Sequence, residues 1–102
     1  MITMNNEWTP ATTFQVKENY IHRKVAGEDV LISIGGNVAN FNGYIRLNSS
    51  AACLWDQMKQ PRTRQQLEQA LVDTFEVSRE EAETDVLDFL KALQEQGMVK
   101  AL

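Results

Sequence analysis

One cysteine, one histidine and two prolines in 102 residues leave this chain little equipment for covalent or metal chemistry. A single thiol, Cys53, forms no internal disulfide, which fits a reducing cytoplasm. A single imidazole, His22, makes no metal site with one thiol unless carboxylates join from positions that no spacing picks out. No apolar run approaches the ~20 residues of a membrane-spanning helix. The start, "MITMNNEWTPATTF", has neither the basic end nor the apolar centre of a signal peptide. A GxGxxG turn, a phosphate-binding loop and paired carboxylates at a strand end are all missing.

Positive charge is also short. Residues 1–47 hold four basic and four acidic side chains, and residues 48–102 hold six basic against ten acidic, so the net charge of −4 sits in the C-terminal half. A nucleic-acid binder needs Lys and Arg to displace counterions from phosphates. This chain has the opposite sign.

What is present is the patterning of one small folded domain, with 43% hydrophobic and 24% charged residues. After a loose lead-in over 1–13, "FQVKENYIHRKVAG" and "GEDVLISIGG" read as strands, with turn points at Asn19 and Gly27. Gly27-Glu28-Asp29 suits a hairpin turn between them. The loop "GGNVANFNG" leads to a short third strand, Tyr44-Ile45-Arg46-Leu47, where the β content is expected to end.

Beyond Leu47 the apolar period changes from 2 to about 3.6. Asn48, Ser49 or Ser50 caps a first helix, about 50–58, with Ala51, Leu54, Trp55 and Met58 on one side. Trp55 is expected in the core. Thr63 caps a second helix, about 64–75, carrying Leu67, Leu71, Val72 and Phe75. Ser78 with Glu81 forms a capping box for a third, about 79–96, whose stripe is Ala82, Val86, Phe89, Leu90 and Leu93. Gly97 is placed for a left-handed cap, and "MVKAL" reads as an apolar tail. Three antiparallel strands followed by three helices make an α+β domain of winged helix-turn-helix type.

Cys53 suggests a nucleophile, but such a thiol needs a base nearby, and His22 sits on the first strand system with no orienting carboxylate evident. The reading is a packed cysteine, an exposed strand histidine and no enzyme. The acids Glu80, Glu81, Glu83, Asp85 and Asp88 resemble a ligand cluster, yet they fit the solvated face of an amphipathic helix. A DNA-binding winged helix is the alternative function. Its reading helix would carry six acids (those five and Glu95) against Arg79 and Lys91, and Arg62 and Arg64 are too few to reverse this. A third reading is an adaptor that grips only a protein partner.

"GEDVLISI", "YIRLNSSAACLWDQM" and "PRTRQQLEQALVDTFEVSREEAETDVLDFLKALQEQGMV" together resemble the coenzyme PQQ synthesis protein D family over about residues 20–100. The resemblance implies a three-stranded sheet followed by three helices; from the residues themselves, no cofactor and no metal are expected. It also implies a peptide chaperone that holds the leader of a ribosomally made precursor peptide and presents it to a modifying enzyme, often a radical S-adenosylmethionine protein. "IGGNVANFNG" lacks the Pro-Glu of the PQQ pathway proteins proper, and "KQPRT" stands where many relatives have Asp-Gly, which favours some other modified peptide.

Family members dock leaders beside the third strand, so Tyr44, Ile45, Arg46 and Leu47 are the candidate edge for strand addition, from Gly43 onward. The third helix forms the other wall. Phe89 either faces this groove, with Asp85 and Ala92 flanking it at helical spacing, or belongs to the core with Val86, Leu90 and Leu93. An open strand edge also suits pairing with a second copy of the chain, as a homodimer.

Overall fold

The first strand, β1 (Thr13–Val16), alternates as its sequence demands: Phe14 and Val16 are buried while Thr13 and Gln15 face outward. The computed structural model describes residues 11–33 and 44–102, so most of the expected lead-in and the loop ending at Gly43 lie outside the described residues. A turn at Glu18–Asn19 ends β1, and β2 (Tyr20–Val25) enters a different sheet. The run read as one strand system therefore divides between two layers.

β2 forms a hairpin with β3 (Glu28–Ser33), in which Val25 pairs with Glu28. The two-residue loop is Ala26-Gly27, with φ of 52° and 82°. Positive φ at both positions twists a loop in the same sense as the strands it joins. The turn thus falls one residue earlier than expected, and Glu28 and Asp29 belong to the strand. β4 (Tyr44–Leu47) adds antiparallel to β3, giving the order β2-β3-β4, the expected three-stranded sheet.

The three helices follow closely. α1 (Ser49–Gln57) is capped by Asn48, whose side-chain oxygen accepts from the Ala51 amide at 2.8 Å. α2 (Arg64–Thr74) and α3 (Arg79–Glu95) both start at capping boxes, Thr63 with Gln66 and Ser78 with Glu81. Gly97 adopts φ 71° after α3, and Met98 donates back to the Leu93 carbonyl at 2.9 Å.

That reversal lays Met98 and Val99 into the core and produces a strand where a tail was expected, β6 (Val99–Ala101). The β content does not end at Leu47. β6 and the two-residue β5 (Arg62–Thr63) flank β1 to make a second three-stranded sheet, β5-β1-β6. Thr12 and Thr13, assigned to the lead-in, are tied down here: the Thr12 carbonyl accepts from Arg64 and the Thr13 carbonyl from Leu102.

One cluster unites Phe14, Leu31, Trp55, Met58, Leu71 and Leu90 with their neighbours, so both sheets and all three helices share a core. α2 and α3 are also stapled by Glu68, 5% exposed, with Arg64 at 3.2 Å and Arg79 at 3.8 Å. No helix among the described residues is long and apolar enough to cross a membrane.

Candidate functional site

β4 is paired with β3 on one side only, Leu31 opposite Ile45 and Asp29 opposite Leu47. Among the described residues no strand covers its other side. A row of backbone donors and acceptors is left facing outward there, a template for another extended chain. Facing it is α3, and between them lies a groove of about 400 Å³. Ile45, Arg46 and Leu47 line one wall and Phe89, Ala92 and Gln96 the other. Leu31, Leu93 and Met98, buried in the core, reach its floor.

A second cavity of about 290 Å³ adjoins the first where both touch Asn48, Ala51 and Phe89. Its remaining lining is more polar, with Ser50, Asp85 and Asp88 beside Leu54. Phe89 is half-buried and borders both cavities, while Val86, Leu90 and Leu93 are buried in the core. Phe89 also packs against that core, so its position serves both of its readings. Tyr44 sits on β4 opposite Ile32, and its side chain lies outside the described residues.

Six of the seven candidate residues thus meet around one continuous depression. Asn48, Ala51, Asp88, Gln96 and Met98 also line it and are not among the seven. Asn48 carried a signal, as a helix cap directly after a strand, but the cap accounts for its side chain without any groove.

His22 departs from its reading as an exposed strand residue. Its side chain is 14% exposed and held between two carboxylates, with Nε2 2.8 Å from Asp29 and Nδ1 2.8 Å from Asp56. Burial pushes the imidazole down, but its hydrogen bonds to Asp56 and Asp29 and their charges outweigh this and leave it above the ordinary 6.5. The bond from His22 holds the Asp29 carboxyl below its ordinary 3.8, against its own burial and with help from Lys24. His22 stabilises the fold fully below pH 6.5 and loses this as pH rises through its raised value. Asp29 contributes above pH 3.8 and loses this as pH falls through its lowered value. The bridge from sheet to α1 is strongest between these limits. His22→Ala should cost about 1–2 kcal/mol near pH 5.5, moderated by the exposure of Asp56. In urea titrations the loss should shrink by about pH 8.5; an equal loss at both would mean that folding leaves the proton affinity of the imidazole unchanged.

With both ring nitrogens engaged by carboxylates, His22 has none to offer a thiol. Cys53 is half-buried against the core, and burial pushes its thiol up, away from the reactive thiolate. Cys53→Ala should cost ~1–2 kcal/mol. It should also leave affinity for the leader peptide expected from the sequence within about threefold by calorimetry; abolished binding would give the thiol a part in the site. No group of three or more His, Cys, Asp or Glu is placed to hold a metal ion among the described residues.

No curated protein sequence matches the chain. Two solved structures share its fold, each with a TM-score of 0.66. One is TbiB1 in complex with the TbiA(beta) leader peptide, 19% identical, the alignment covering 84% of this chain and 94% of that one. The other is lasso peptide synthetase B1 complexed with the leader peptide, 23% identical, covering 85% and 96%. The family described as coenzyme PQQ synthesis protein D matches residues 17–99, from β2 through α3 to the first residue of β6, and so every element that builds the groove. This chain belongs to the coenzyme PQQ synthesis protein D (PqqD) family.

Proposed function

We propose that this chain is a non-catalytic peptide chaperone of the cytoplasm. It binds the leader region of a ribosomally made precursor peptide as a fourth strand on β4 and presents it to a modifying enzyme. The observation that carries this reading is the open edge of β4 facing an apolar groove under Phe89 and Ala92. Main-chain bonds to an edge tolerate many sequences, and side-chain pockets beside it select among them. The two structural neighbours are complexes with leader peptides, and their shared fold supports the same occupant here. For the modifying enzyme, the family's association with radical S-adenosylmethionine proteins supports that class.

DNA binding is not favoured. The acids of α3 repel phosphate, and Arg64 and Arg79 are already drawn to Glu68.

Four or five backbone bonds at ~0.5–1.5 kcal/mol each, with apolar contact and less the cost of ordering the peptide, imply affinity near micromolar or tighter. Titrating a leader peptide should shift the amides of residues 43–47 and 85–93 together in an NMR spectrum. Shifts gathered on α2, around Arg64 to Gln69, would place binding elsewhere and sink strand addition.

A further inference from the structure

The two adjoining cavities differ in chemistry and lie one after the other along α3. On α3 the apolar groove is bounded by Phe89, Ala92, Leu93 and Gln96, centred between residues 92 and 93. The polar cavity is bounded by Asp85, Asp88 and Phe89, centred near residue 87. About five residues of helix separate the centres, or ~7–8 Å at 1.5 Å per residue. Side chains two apart on one face of a strand are ~6.6 Å apart, whereas the next same-face pair is ~13 Å apart.

The charge of the polar cavity is uncompensated. Asp85 and Asp88 are both exposed, and neither has an ion-pair partner among the described residues. The N-terminus of α1, through its cap Asn48 and Ser50, also borders this cavity and has no acid in its own first turn. Its dipole is equivalent to roughly half a positive charge, which leaves most of the two carboxylates' charge unanswered. The whole C-terminal half, which builds this wall, is acidic.

We propose that the groove reads a leader segment carrying an apolar side chain and, two residues away on the same face, a lysine or arginine. The apolar side chain enters between Leu47 and Ala92, and the cation lies against Asp85 and Asp88, with Phe89 as the partition. This rests on strand addition at β4 and adds to it a sequence rule. The leader this protein serves is basic at one defined position.

The test uses the full chain and a set of labelled extended decapeptides. Each has one leucine among serine and threonine, with Lys or Glu placed one, two or three positions away on either side, and binding is read by fluorescence anisotropy at low salt. Lys two positions away should bind about tenfold tighter than Glu there, with Lys and Glu within about threefold at the other positions. In the Asp85→Asn/Asp88→Asn variant the preference should fall below threefold, and 0.5 M salt should reduce it likewise in the unaltered chain. Binding that needs leucine but is indifferent to Lys against Glu overturns the charge rule and leaves strand addition standing. Failure of every decapeptide to bind, leucine or not, overturns both.

Discussion

Replacing Trp55 with alanine should remove ~3–5 kcal/mol of stability, the range for truncating a buried aromatic. Trp55 is 1% exposed in the shared core, although α1, which carries it, is only nine residues long. Its ring meets Tyr20 of β2 edge-on, with centroids 6.3 Å apart and planes at 84°, an arrangement worth ~0.5–1.5 kcal/mol beyond the area buried. Trp55 therefore ties the three-stranded sheet to the helices, and its loss opens a cavity bordered by elements that cannot collapse independently. A domain of this size is held by ~5–15 kcal/mol in all, so the variant should lose a large share of its stability. Urea unfolding followed by circular dichroism measures the loss, and a shift worth less than ~1 kcal/mol would remove Trp55 from the core. In a Trp8→Phe background, iodide should leave the fluorescence of the folded protein nearly unquenched.

The second large effect lies on the peptide. If the leader adds to β4 as a strand, alternate amides along it donate to the edge and the others point away. Methylating one donating amide removes its bond and leaves a strand carbonyl unpaired, which costs ~1–3 kcal/mol, or about 5- to 150-fold in affinity. Methylation of the intervening amides should change affinity by no more than about threefold. Calorimetry along a series of singly methylated leaders would show this period of two directly. A flat series would mean that side chains alone hold the peptide, and a run of three or four sensitive amides would mean that it binds as a helix. The contrast is informative because the protein is unchanged throughout, so no loss can be assigned to misfolding.

Much of this molecule was legible because it is locally encoded. Thr63 with Gln66 and Ser78 with Glu81 start their helices through bonds between residues three apart, and Gly97 ends α3 through its own backbone freedom. The stripe Ala82, Val86, Leu90 and Leu93 announced its buried face by period. β5 and β6 were not legible, because strands of two and three residues are too short to show alternation. They exist because β1 passes between them and supplies partners 48 and more positions away.

The site divides in the same way. Local pattern alone gives a strand at Tyr44–Leu47, an amphipathic helix with Phe89 at one margin of its stripe, and a family pattern that joins them. The fold adds what no local pattern carries: among the described residues β4 is an edge, Asn48 and Ala51 lie where two cavities join, and Asp88 stands beside Asp85 in one of them. His22 makes the same point, since its carboxylates lie 7 and 34 positions away and no spacing foretells them. Local bonds and periodicity act within a few residues and can be read along the chain. Edges, cavities and charge bridges are made by segments that meet only when the common core closes.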